Sequence, residues 1–184
     1  MSTLLVSTVK DPAGGSTITV PTSGTFTLAP PPVLGTEQAT TSGTSKDFTG
    51  IAAGTKRITV MFEGVSTAST SAFAVQLGDA GGIETSGYVG ASTGAGGASP
   101  TTAFQMAYAL TAARNYSGAL TLSLKDASAF TWVASGVSGQ DTGGVVLITG
   151  GVKSLSAVLT QIRVTTIAGD EAFDAGSINI MTEG

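Results

Sequence analysis

Apolar residues in this chain recur at every second position and almost nowhere at helical spacing, so its segments can bury themselves only as strands. Lys56 to Glu63 places Ile58, Val60 and Phe62 on one face. Ala119 to Lys125 places Leu120, Leu122 and Leu124 on one face, with Thr121 and Ser123 opposite. Ile162 and Val164 alternate with Arg163 and Thr165 in Leu159 to Thr166, and Ile178 and Ile180 share a face in Ser177 to Met181. Strand side chains point alternately to the two faces, so each pattern describes a strand with one buried side. Gly144 to Thr149 is rich in β-branched residues and reads as a buried strand. A turn at Asp126-Ala127-Ser128 leads to a returning strand at Phe130-Thr131-Trp132. Only Ala107 to Arg114 carries good helix formers, and Thr101 to Leu110 reads equally well as a strand. About eight to ten short strands, with turn signals roughly every ten residues, predict an all-β antiparallel sandwich or jelly roll. Gly78 to Gly82 and Gly87 to Pro100 read as glycine-rich loops, the parts of a sandwich that meet other molecules.

Residues 1–34 differ from the rest. Short β-prone runs (Thr3 to Val9, Ser16 to Val20, Thr25 to Leu28) are broken by Asp11-Pro12-Ala13-Gly14-Gly15 and Pro21-Thr22-Ser23-Gly24. Pro30-Pro31-Pro32 then forms a stiff extended spacer. Strands so short have no core of their own, so residues 1–34 read as an N-terminal attachment arm and residues 35–184 as the β-sandwich.

At 184 residues the chain has length for one domain and an arm. Charged residues make up 11% of it, about half the usual ~25%, while hydrophobic residues reach 41%. A surface so poor in charge is expected to be covered by partner subunits. The net charge is −4 with eight Lys and Arg, and the nearest approach to a basic patch is Lys46 with Lys56-Arg57. Nucleic-acid binding, which needs several basic groups on one face, is not expected. Met1 to Val6 is too short for a secretory core, and no run approaches the ~18 apolar residues of a spanning helix, so no membrane insertion is expected.

The chain contains no histidine and no cysteine. That removes the commonest general base, both Ser-His-Asp and Cys-His arrangements, thiolate chemistry and the commonest zinc ligands. Gly90-Ala91-Ser92-Thr93-Gly94 matches the nucleophile-elbow pattern, but without a histidine Ser92 has no partner to take its proton. Asp141-Thr142-Gly143 matches the aspartic-protease triplet in a single copy, where the chemistry needs two, and reads as a turn. Asp170, Glu171 and Asp174 form the one acidic cluster, without calcium-loop spacing, and read as a solvated loop. A glycosidase needs only two carboxylates, and Asp47, Glu63, Asp79 and Glu84 are the dispersed candidates. Tyr88, Tyr108, Tyr116 and Trp132 are the aromatic residues available to stack on a sugar, with core packing the default role of Trp132. No catalytic, cofactor-binding or metal-ligating residue is assigned from these patterns, and no enzyme is expected.

Met1 to Gly24, MSTLLVSTVKDPAGGSTITVPTSG, resembles the opening of bacteriophage tail-fibre and virion structural proteins. FTGIAAGTKRITVMFEGVSTASTSAFAVQLGDAGGIETSGYVG and TQIRVTTIAGDEAFDAGSINIMTEG resemble their β-rich carboxy-terminal domain. The resemblance implies a homotrimer on the virion, its arm on a tail adaptor or nozzle and its β-domain outward, with a host-surface glycan as one possible contact. Such fibres usually carry a long repetitive shaft, which is missing between arm and domain here. The expectation is therefore a short tail fibre, with a capsid decoration protein as the alternative and a carbohydrate-binding or carbohydrate-cleaving module behind both.

Overall fold

The computed structural model describes residues 8–10, 17–19, 30–93, 99–106 and 114–184. The chain divides into two compact units, Met1–Pro30 and Pro31–Gly184. In the first, β1 (Thr8–Lys10) and β2 (Thr17–Thr19) form an antiparallel hairpin with Val9 opposite Ile18. A lone hairpin of this size is marginal in water.

The second unit opens with β3 (Val33–Leu34), β4 (Gln38–Ala39), β5 (Ser45–Thr49), β6 (Arg57–Thr67) and β7 (Phe73–Asp79). Short strands follow at β8 (Gly82–Ile83), β9 (Val89–Ser92) and β10 (Phe104–Gln105). Five longer ones close the chain: β11 (Tyr116–Asp126), β12 (Thr131–Gln140), β13 (Val146–Ser154), β14 (Gln161–Thr166) and β15 (Phe173–Glu183). The large sheet runs β3-β15-β6-β11-β12-β13-β9, with β4 also on β15. The small sheet runs β10-β7-β14-β5, with β8 also on β7. Every ladder between them is antiparallel.

The all-β reading holds, and the strands read from alternation fall on β6, β11, β12, β14 and β15. The two sheets make a sandwich; with β11, β12 and β13 in a simple meander, the jelly-roll order is not established. Val33 and Leu34, counted with the arm from sequence, pair with Thr182 and Met181 and belong to the large sheet. The two expected glycine-rich loops also contain strand: Gly78 and Asp79 end β7, Gly82 opens β8, and β9 lies within Gly87 to Pro100. The ambiguous Ala107 to Arg114 stretch lies, except for Arg114, outside the described residues.

The inner faces form one core. Ile58, Val60, Phe62, Leu120, Leu122, Ile178 and Ile180 come from the large sheet, and Phe73, Val75, Leu77, Ile162 and Val164 from the small one. Phe62 and Phe73 cross between the sheets edge to face, with ring centroids 5.2 Å apart. Each such side chain contributes about 1.5–3 kcal/mol by leaving water. Trp132 joins this core, its default role.

The long β6–β15 ladder slips register around Ala175. There Gly176 lies at φ +91°, and a Cβ on it would stand 2.5 Å from the Glu63 carbonyl oxygen. Gly54 has almost the same φ, +92°, with no heavy atom within 4 Å of its Cβ position. The pair separates dihedral strain from crowding. Gly54→Ala is expected to lose about 1 kcal/mol in urea unfolding and Gly176→Ala at least about 2 kcal/mol more. Equal losses would show that the bulge has room for a side chain.

Candidate functional site

A sandwich of two sheets covers one face of each and leaves the other two outside, so any partner must meet one of those. On the large sheet, the outer face can be followed residue by residue through the ladders. One row runs Asn179, Met61, Ala119, Val137, Ile148, and the next runs Leu34, Met181, Thr59, Thr121, Ser135, Gly150, Ala91. A third runs Glu183, Arg57, Ser123, Val133, Val152, Val89. The β12, β13 and β9 ends of these rows carry no charged residue. They expose Val89, Val133, Val137 and Ile148, and Val146 lies two residues before Ile148 on β13; Val146 is 62% exposed and Ile148 57%. An outer sheet face in water ordinarily alternates to polar residues, so a run of exposed β-branched side chains makes this part of the face the candidate contact surface. The β6 and β15 ends differ: they hold the Arg57–Glu183 ion pair at 3.7 Å and a cleft of about 210 Å³ lined by Glu37, Met61, Glu63, Ser177 and Asn179.

The outer face of the small sheet is polar. Arg163 on β14 donates from Nε and Nη2 to the two carboxylate oxygens of Asp47 on β5, both at 2.7 Å. This pair holds the guanidinium charged more firmly than usual. Beside it lies a groove of about 340 Å³ lined by Thr44, Gln76, Thr85, Thr102, Arg163 and Thr165.

Between the sheets, at one end, sits a polar clasp. Lys153 on β13 points inward, only 5% exposed, and pairs with Glu84 in the segment after β8. Its ammonium also donates to the Ser154 carbonyl at 2.8 Å and lies 5.5 Å from the Tyr88 ring centroid. Glu84 accepts from the Ser156 N–H at 2.7 Å and hydroxyl at 2.9 Å, and that hydroxyl also reaches Asp79 at 2.6 Å. The Tyr88 hydroxyl accepts from the Leu77 N–H at 2.7 Å and donates to the Glu84 carbonyl at 2.9 Å. Burial pushes this phenol far above its usual range.

Both clasp carboxylates are held ionised. The Ser156 hydroxyl and then the Gly81 N–H bring Asp79 below the usual carboxylate range. Burial alone would raise Glu84, but Lys153 and the two Ser156 bonds outweigh it and bring it below as well. Neither is a carboxylic acid kept protonated for general-acid work.

Of the carboxylates singled out from sequence, then, the fold brings Asp79 and Glu84 together through Ser156 and keeps Asp47 and Glu63 apart from them. Ser92 lies in edge strand β9 and not in a strand-to-helix elbow; it is 1% exposed and its Oγ has no hydrogen-bond partner. Asp141-Thr142-Gly143 is a turn between β12 and β13, where Asp141 accepts from Asn115 Nδ2 at 3.2 Å. In the acidic cluster, Glu171 accepts from the Ser71 N–H at 2.9 Å and Asp174 from the Ser66 hydroxyl. These side chains pin the β6–β7 turn to the start of β15, and among the described residues no group of three acidic side chains is placed to hold a metal ion. Tyr116 is buried in the core, and Tyr108 lies outside the described residues.

The clasp generates two predictions. Glu84→Gln leaves a buried ammonium without its counter-charge and is expected to cost about 3 kcal/mol in urea unfolding. Adding Lys153→Met to that variant is expected to recover most of the loss. With both carboxylates depressed in the folded state, the unfolded chain takes up protons first as pH falls. Their contribution is therefore complete above about pH 5 and declines below it. Asp79→Asn is expected to show a smaller drop in melting temperature from pH 5 to pH 3 than the wild type.

No protein-family model, curated protein or solved structure matches this chain.

Proposed function

We propose that this chain is a structural subunit of a bacteriophage virion, a short homotrimeric tail fibre held by its N-terminal arm, and that it performs no catalysis. The observation that carries the reading is the uncharged aliphatic outer face of β12, β13 and β9, which a chain working alone would leave in water. The resemblance of the first residues and of the β-rich segments to virion proteins supports the same assignment. The clasp supports a structural role for its carboxylates, because both are ionised and spent on bonds that join β7 to β13. A glycosidase would need one of the two kept as an acid.

In this reading the aliphatic face is covered by other copies and the polar outer face of the small sheet turns outward. A neutral host-surface glycan would meet the hydroxyl-lined groove there. The arm docks on another virion protein, a tail adaptor or nozzle.

Immunogold labelling of intact virions with an antibody to this chain tests the assignment. Label confined to the tail is the expected result; label spread over the head would replace the fibre by a capsid decoration protein, and unlabelled virions would overturn the virion reading. Deletion of residues 1–30, which ends before the sheet begins, is expected to leave a folded domain that no longer joins the particle. Incorporation of the truncated protein at wild-type levels would sink the arm's role.

A further inference from the structure

On the outer face of the small sheet, the pair between Arg163 and Asp47 leaves part of the guanidinium unused. A guanidinium carries five N–H donors in a rigid plane, and a carboxylate at its side takes two of them. Asp47 takes those of Nε and Nη2, both at 2.7 Å. Two donors on Nη1 and one on Nη2 remain, and Arg163 makes no further hydrogen bond among the described residues. Nη1 and Nη2 share one edge of the plane, so the unused donors include a second parallel pair. Arg163 lines the groove of about 340 Å³, and Asp47 does not. The unused edge is therefore what a molecule in the groove meets.

The rest of the wall narrows the kind of molecule. Thr44, Thr85 and Thr102 offer hydroxyls with no bond of their own among the described residues. The Thr165 hydroxyl donates to the Thr44 carbonyl at 2.9 Å and keeps its lone pairs. Gln76 donates to the Thr102 carbonyl at 3.1 Å and keeps its own amide oxygen as an acceptor. A wall that both donates and accepts suits ligand groups that do the same, as hydroxyls do and a carboxylate does not. Among the described residues that line the groove, Arg163 alone is charged, and Asp47 already offsets it. No aromatic ring is among them, so stacking on a ring face has no part. At about 340 Å³ the groove exceeds the ~300 Å³ at which small-molecule sites begin.

We infer that Arg163, set in its plane by Asp47, determines what this groove accepts: two adjacent hydroxyls of one neutral sugar ring, read by the Nη1 and Nη2 edge. The inference rests on the proposed reading of the chain as a virion protein that meets a host-surface glycan. Adjacent ring hydroxyls present two oxygens side by side to the parallel donors, and each passes its own proton to an acceptor on the wall. Because Asp47 already holds the guanidinium, little side-chain freedom is lost when the sugar arrives.

The test uses the full-length protein and ligand-observed NMR. The probes are methyl α-D-mannopyranoside, methyl β-D-galactopyranoside and methyl β-D-glucopyranoside, with glucuronate as the acidic counterpart. At least one neutral glycoside is expected to bind saturably, with an affinity that salt leaves unchanged. Arg163→Lys keeps the charge and loses the planar fork, and is expected to weaken that binding about tenfold or more. Thr102→Val removes a hydroxyl from the wall at an exposed position and is expected to weaken it as well, which keeps the test decisive should the Arg163 variant fail to fold. Deoxy analogues of the bound glycoside are expected to lose binding at two adjacent ring positions. Four results would each overturn the inference: no binding of any of these glycosides, binding unchanged in either folded variant, a deoxy series with loss at one position or none, or a preference for glucuronate that salt removes. Virion label without sugar binding would remove the site and keep the assigned role. Sugar binding with unlabelled virions would do the reverse.

Discussion

Every strand has two faces, and a second sheet can cover only one of them. That constraint governs this molecule. The inner rows collect Ile58, Val60, Leu120, Leu122, Leu77 and Ile162 into one core whose burial outweighs the entropy of ordering the chain. The outer rows receive no cover from within the chain and must be polar, or be covered by something else. The small sheet takes the first course with Gln76 and the Arg163–Asp47 pair. Half of the large sheet takes neither: Val137 and Ile148 stand opposite each other on neighbouring strands, both more than half exposed.

The clasp shows what the same constraint costs where polarity turns inward. Lys153 occupies an inner position beside Trp132, where an apolar side chain would do for packing. An ammonium there is tolerable only with its bonds satisfied, and Glu84, the Ser154 carbonyl and the Tyr88 ring supply them. In return the segment between β8 and β9 is tied through Lys153 to the large sheet and through Ser156 and Asp79 to the small one. The segment is thereby fixed where the glycine-rich stretch begins.

Alternation made the long strands legible because Ile58, Leu122 and Ile162 are each flanked by polar neighbours, and one face could be chosen locally. Edge strand β9 was hidden for a physical reason. A Cβ on Gly90 would lie 2.4 Å from the Gly150 carbonyl oxygen, and one on Gly151 would lie 2.8 Å from that of Val89. The close approach of these backbones demands glycine, and a glycine-rich segment reads as loop. The clasp was hidden because Asp79, Glu84, Lys153 and Ser156 are brought together only by tertiary pairing, with no local spacing to reveal them. The hydrogen-bond partners of Glu171 and Asp174, the Ser71 N–H and the Ser66 hydroxyl, were hidden in the same way, since they lie far away in the chain.

The reading of Gly144 to Thr149 as a buried strand is the most instructive case. Within one chain it is half right: Leu147 is buried, while Val146 and Ile148 are exposed. Consecutive apolar residues on a strand specify two apolar environments, and the fold supplies one. Edge strand β9, beside this run, likewise lacks the lysine or proline that keeps an open sheet edge from pairing with strangers. A low share of charge, an apolar outer face and an edge without such guards are the features that the proposed assembly would account for together. In that proposal the second apolar environment of β13 would be the surface of another copy.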